Sequence, residues 1–236
     1  MNNRSFHVTA IILAAGTGSR MKADISKQRM IICGESVLRH TLHAFSDSEY
    51  IDDIVLVCRP EEECTIKLEL ANDFPKVKAM VCGGKTRAES ALRGFLSISE
   101  ECQFVAIHDA ARPLFDIGMA EKVFAEALEK GNAVCASKVR DTVKRTDNCA
   151  YVTDSVDRDN LWLIQTPQVF EKRIYGRALD NAKKEGCLAT DDSSLVSLAG
   201  EKVNLCETPS YNIKITYPED VLTAQAIINY RGDKNK

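Results

Sequence analysis

Three short stretches, Val8–Leu13 (VTAIIL), Asp53–Cys58 (DIVLVC) and Phe104–His108 (FVAIH), are almost unbroken runs of apolar and β-branched residues. Each is followed by a segment with the 3.6-residue rhythm of an amphipathic helix, as in Ser36–Phe45, where Val37, Leu38, Leu42 and Phe45 fall on one face. A strand apolar along its whole length has no face to give to water. It must be covered on both sides, and strands that alternate with helices reach that state as a mostly parallel sheet with helices on both faces. The expected class is therefore α/β, with further helices at Glu61–Asn72, Arg87–Ile98 and Met119–Lys130, the last stopped by Gly131, and further strands at Lys78–Cys82 and Ala133–Ser137.

The rhythm changes after Ser137. The segment VRDTVKRTDNCAYVTDSVDRDNLWLIQTPQVF alternates polar and apolar residues around a Thr-Asp-Asn turn, which predicts a two-stranded excursion, a β-arm at about 138–162. An isolated hairpin is marginal in water, so something should cover it, and a second subunit is a reasonable candidate. In NIKITYPEDVLTAQAIINY a short strand precedes a helix with Thr216 as its cap and Pro218 in its first turn. Lys214, between Ile213 and Ile215, must point away from both. The expected organisation is one domain over 1–230, carrying the arm, with a frayed tail at 231–236.

Composition closes several function classes. A hydrophobic content of 44% over 236 residues, without low-complexity runs, excludes a disordered chain. A net charge of −3 argues against a nucleic-acid partner, so any positive site is local. The nine cysteines contain no CxxC pair and are scattered singly, which fits reduced, cytoplasmic core residues rather than a zinc site or a disulfide frame. The first apolar run is too short to span a membrane or serve as a signal core.

The chemistry starts in LAAGTGSRMKADISKQR, where a buried strand opens into a glycine turn followed by Arg20, Lys22, Lys27 and Arg29. Backbone donors at such a turn suit phosphate, and four nearby cations suit a nucleoside triphosphate. Met21 stands where a dinucleotide fingerprint needs its third glycine, and Ala79 stands where a Walker loop ending in Gly84-Lys85-Thr86 needs its first. No GxSxG elbow is present. His108-Asp109-Ala-Ala-Arg112-Pro113 follows directly on a strand, at the edge where α/β sheets bind ligands. Asp109 offers a hard oxygen ligand for Mg²⁺, and the plainer reading is an Asp109–Arg112 pair that holds the loop. Thr190-Asp-Asp-Ser-Ser reads as a capped helix start, and Arg158 as a surface ion pair with Asp157 or Asp159.

Together and in order, LAAGTGSRM, KQ, GGKTRAESALRG, HDAARP, RDTVK, VDRDNLWLIQTPQVF, TDD and NIKITYPED resemble the 2-C-methyl-D-erythritol 4-phosphate cytidylyltransferases from about Val8 to Ala224. The resemblance implies a Rossmann-like nucleotidyltransferase fold, a homodimer joined by the arm, and Mg²⁺-dependent transfer of CMP from CTP to methylerythritol phosphate in non-mevalonate isoprenoid synthesis. It implies that Arg20 and Lys27 stabilise the transition state on the triphosphate, and that Arg158, from the other subunit, and Lys214 position the attacking phosphate. Thr190 falls near that acceptor. Ala14, Ala15, Gly16, Gly84 and Ser90 fall in the pocket for cytosine and ribose, Asp109 beside nucleotide and metal, and Arg112 among the substrate contacts. Three positions depart from the family's pattern: Ser26 replaces the proline before Lys-Gln, Arg29 an aromatic, and Lys85 a frequent acid. The Ser26 change is expected to loosen the turn that aims Lys27. Two other readings stand beside this one. A ribitol-5-phosphate cytidylyltransferase would share the sheet but tends to read LAGG and HDAVRP; a non-catalytic nucleotide-binding regulator would not need cations aimed at a transition state.

Overall fold

A computed structural model describes residues 6–16, 26–70, 73–185 and 191–234. The first half contains β1 (Val8–Leu13), β2 (Ile31–Ile32), β3 (Glu35–Ser36), α1 (Val37–Ser46), β4 (Asp53–Cys58), α2 (Glu63–Leu70), β5 (Val77–Cys82), α3 (Arg87–Phe95) and β6 (Phe104–Asp109). The second contains α4 (Ile117–Lys130), β7 (Asn132–Lys138), β8 (Val143–Thr146), β9 (Val152–Val156), β10 (Trp162–Glu171), α5 (Lys172–Glu185), α6 (Asp192–Leu198), β11 (Leu205–Glu207) and α7 (Pro218–Lys234).

Seven strands form one sheet in the order β11-β7-β10-β6-β1-β4-β5. Neighbours are parallel except at β10, which runs antiparallel to both β6 and β7. All six residues of β1 are buried, and the reason is visible in two adjacent side chains. Ile12 packs on one face with Leu42, Phe45 and Phe124, whereas Ile11 packs on the other with Phe170, Tyr175 and Val196. Side chains of α1, α2 and α4 contribute to the first layer and those of α3, α5 and α6 to the second. A third cluster, with Ile32, Ala111, Leu114, Ile215 and Ala224, seats the loop after β6 and the chain around Ile215 against α7.

Side-chain caps fix where the helices begin. Ser36, Thr86, Asp116 and Asp191 accept from the N–H groups of Arg39, Glu89, Met119 and Ser194, and Gly131 at φ 82° ends α4.

The structure departs from the sequence expectations in several places. Pro60–Glu62 forms a 3-10 turn, so α2 proper starts at Glu63. α3 stops at Phe95. The excursion has two strands, β8 and β9, and the rest of the alternating segment, from Trp162, is a further strand, β10, that inserts into the main sheet. Asn212–Thr216 is not a strand: Ile215 donates its N–H to Ala111 O, and the two isoleucines turn into the third cluster. The Thr216 hydroxyl donates to Lys214 O instead of capping α7, and Asp220 accepts the N–H groups of Thr216 and Tyr217. α7 runs on to Lys234. Arg231 bonds Leu114 O, pairs with Asp116 at 3.0 Å and lies over the Tyr211 ring.

Candidate functional site

The carboxyl ends of β1, β4, β5 and β6 open into a cleft of about 440 Å³. Ala15 and Gly16 line it from β1, Arg59 and Glu61 from β4, Gly83 to Arg87 and Ser90 from β5 and α3, and Asp109 and Ala111 from β6, with Lys27, Gln28 and Lys214 around them. A hollow of about 510 Å³ beside Lys122, Lys138 and Tyr211 contains none of the expected site residues.

The glycine turn and the Lys27 segment are stitched together by one side chain. The Gln28 amide donates to Ala14 O at 2.9 Å and to Gly16 O at 3.2 Å, which sets the short 3-10 turn Lys27–Arg29 over the end of β1. Ser26 sits at φ −61°, ψ 140°, within the range a proline imposes, and Arg29 N–H closes the turn on Ser26 O at 2.9 Å. Ala14 itself is buried, its N–H bonded to Val57 O, so its carbonyl rather than its methyl group serves the loop.

The opposite wall needs its glycines. A Cβ on Gly83 would lie 2.3 Å from the Ala15 Cβ, and one on Gly84 would lie 2.3 Å from the Glu89 Cβ. The bare Gly83 lets the two loops approach, and the bare Gly84 lets the turn fold back on the start of α3. The Ser90 hydroxyl accepts the Gly84 N–H at 3.1 Å and donates to Thr86 O at 2.9 Å, holding the wall in shape.

On the floor, Asp109 is 8% exposed and both its oxygens are taken. Oδ1 accepts from Arg87 Nε at 3.1 Å and Oδ2 from Lys214 Nζ at 2.6 Å. Burial alone would raise its pKa, but the Arg87 and Lys214 cations, with Arg112 nearby, outweigh that and hold it well below the usual carboxylate range. Its N–H donates to Thr166 Oγ1, which also meets His108 Nδ1. His108 Nε2 faces Arg112 O at 3.2 Å; a carbonyl only accepts, so the ring proton sits on Nε2 and Thr166 donates to Nδ1. Burial pushes the His108 pKa down to about 3, which keeps the ring neutral.

Lys214 reaches the floor because Ile213 and Ile215 are turned the other way. Arg112 does not form the expected pair with Asp109. It is partly buried and donates to Asn212 O at 2.7 Å, which fixes the chain that carries Lys214. Arg158 lies apart on the exposed arm, donating to Arg140 O. Arg20 and Thr190 lie outside the described residues.

Sequence reasoning passed over Arg87, Asp192 and Thr166. Arg87 had a signal, since a cation at the first position of a helix opposes the macrodipole and calls for a carboxylate partner. It has two, because its guanidinium also meets the buried Asp192 at 2.7 Å.

Among the described residues no group of three His, Cys, Asp or Glu is placed to hold a metal ion. Asp109 is a single carboxylate whose two oxygens are engaged by Arg87 and Lys214, so the described residues do not fit the expected Mg²⁺ ligand at Asp109.

The family model for 2-C-methyl-D-erythritol 4-phosphate cytidylyltransferase (IspD) matches residues 8–230. The chain is 39% identical over 228 residues to the enzyme of that name from Desulforamulus reducens, covering 96% of this chain and 97% of the relative. It is 41% identical over 226 residues to the one from Caldanaerobacter subterraneus subsp. tengcongensis, covering 94% and 99%. The solved 4-diphosphocytidyl-2C-methyl-D-erythritol synthase from Anaerococcus prevotii superimposes with a TM-score of 0.81 at 32% identity, covering 95% of this chain and 99% of that one.

Proposed function

Because the chain belongs to the 2-C-methyl-D-erythritol 4-phosphate cytidylyltransferase family, it is a nucleotidyltransferase, and we propose that CTP and the acceptor meet in the cleft at the carboxyl edge of the sheet. The enzyme transfers CMP from CTP to methylerythritol phosphate. A phosphate oxygen of the acceptor forms a bond to the α-phosphorus as the bond from that phosphorus to the β-phosphate oxygen breaks, and pyrophosphate leaves. What supports this site is the convergence of Gly16, Lys27, Gly84, Asp109 and Lys214, from distant parts of the chain, on one cleft.

Roles follow from chemistry. Ala15, Gly16, Gly84 and Ser90 line a slot for cytosine and ribose, shaped by the close approach of Gly83 to Ala15. Lys27, held over the end of β1 by its neighbour Gln28, brings an ammonium to the triphosphate, where charge accumulates on the α-phosphate oxygens. Arg20 is assigned the same task from the resemblance. Lys214 orients the acceptor phosphate, and Arg112 supports it through Asn212. A Mg²⁺ carried by the triphosphate would take its ligands from phosphates and water and offset their charge.

A homodimer completes this reading. Among the described residues the arm pairs β8 only with β9, and it exposes Tyr151 and Val152. A second subunit would cover these side chains and receive Arg158 at its acceptor site, where Thr190 is also assigned. No helix among the described residues is long and apolar enough to cross a membrane, and the scattered thiols agree with a cytoplasmic enzyme.

The test is pyrophosphate release with Mg²⁺ and CTP or UTP, crossed with methylerythritol phosphate and ribitol 5-phosphate. Turnover is expected with CTP and methylerythritol phosphate. Turnover confined to ribitol 5-phosphate would overturn the acceptor, and none in any combination would overturn the enzyme.

A further inference from the structure

The floor of the cleft is one continuous chain of hydrogen bonds. The Tyr175 hydroxyl donates to Asp192 Oδ1 at 2.7 Å, Arg87 bridges Asp192 Oδ2 and Asp109 Oδ1 at 2.7 and 3.1 Å, and Lys214 closes on Asp109 Oδ2 at 2.6 Å. Tyr175, Asp192 and Asp109 are buried, whereas the two cations are partly exposed and line the cleft. Two carboxylates and two cations balance.

That balance raises a question about Lys214. An ammonium committed to a buried carboxylate at 2.6 Å is not free to follow a substrate phosphate unless the carboxylate keeps another counter-charge. Leaving a buried carboxylate unpaired is strongly unfavourable, so an Asp109 with a single cation would retain it. Arg87 is that other counter-charge. Its planar fork satisfies two carboxylates at once from a fixed place at the start of α3, which a lysine's point charge cannot do.

We infer that Arg87 is a positioning residue for the acceptor phosphate: by holding Asp109 in place and partnered, it releases Lys214 toward the phosphate. This rests on the acceptor role of Lys214 proposed above. Arg87 acts through Asp109 and Lys214 and need not touch substrate. Because Asp192 opens α6 and Tyr175 lies in α5, the same bridge ties that side of the cleft to the sheet edge.

The experiment is a comparison of KM for methylerythritol phosphate and for CTP in Arg87→Met and Arg87→Lys, with thermal melting of each variant. Without Arg87, Lys214 stays bound to Asp109, so KM for methylerythritol phosphate should rise on the order of 10–100-fold, the size of one charged hydrogen bond, while KM for CTP stays within about twofold. Arg87→Lys keeps a charge and loses the fork, and should show the same split at about 3–10-fold. If Arg87→Met fails to fold, the lysine variant carries the test. A parallel rise in both KM values, or a fall in kcat with neither KM changed, would reduce Arg87 to general support of the fold and overturn the inference. Failure of the unaltered enzyme to use methylerythritol phosphate is read in the same assay, and it strikes the proposed function instead.

Discussion

The cleft floor and the β-arm carry cations under opposite conditions. On the floor, Lys214 and Arg87 meet carboxylates from other elements, and each contact is backed by a buried neighbour. On the arm, Arg158 and Arg140 sit at the base of a hairpin whose two strands, among the described residues, pair only with each other, with Tyr151 74% exposed at the tip. The floor is complete within one chain. Local hydrogen bonds shape the turn of the arm, such as Asp147 accepting the N–H groups of Cys149 and Tyr151, yet Tyr151 and Val152 are left exposed. In the dimer proposed above the site is divided: groups that need a fixed, low-dielectric setting come from the sheet edge, and Arg158 comes from the partner's arm.

The sharpest way to break that contrast is to remove one member of each region. Lys27→Ala should cut kcat by on the order of 10²–10³, about 3–4 kcal/mol, with CTP saturating, as for loss of one transition-state donor. Pyrophosphate release checks it, and full turnover would remove Lys27 from the chemistry. Mixing then tests the arm. Lys27→Ala and Arg158→Ala, each inactive by itself, should together recover about a quarter of wild-type activity, because half of the dimers would have one site with both residues intact. No recovery after subunit exchange would place Arg158 in its own subunit's site, or outside any site.

A smaller effect sharpens the floor side. His108 is buried and neutral with its pKa pushed down to about 3, whereas in the unfolded chain it titrates near its ordinary value of 6.5. As pH falls through that interval the unfolded state takes up a proton that the native state refuses, so stability should drop by about 1.4 kcal/mol per pH unit. Asp109, with its pKa depressed, adds its own loss only at lower pH, below the unfolded carboxylate range. Urea midpoints at pH 7 and pH 5 should therefore differ in the native protein, and His108→Asn should flatten the difference. An unchanged slope would mean that His108 is not held neutral.

Legibility followed the range of the interactions. Val8–Leu13 and Asp53–Cys58 were found to the residue, because a strand buried on both faces writes its extent as contiguous apolar residues. Lys214 was read as opposed to Ile213 and Ile215, and it is, although the segment proved irregular; alternation needs only extended backbone, not a ladder. β10 was not legible as a third strand: its antiparallel place between β6 and β7 depends on two partners distant in sequence. The Ser26 departure looked disruptive as spelling, yet Ser26 reaches proline-like angles within a turn closed by Arg29 and beside the Gln28 bonds.

The sequence alone determined the two-layered α/β sheet, the glycine turn that shapes its edge, and the presence of cations and a carboxylate near that edge. These are matters of local periodicity and steric allowance, which a chain states residue by residue. The tertiary structure decided which charge faces which. It turned Arg112 to a backbone carbonyl, gave Asp109 to Arg87 and Lys214, and set Arg87 against an aspartate 105 positions away. Charge pairing depends on distance through space and on the water removed around each group, and neither quantity exists until the chain has folded.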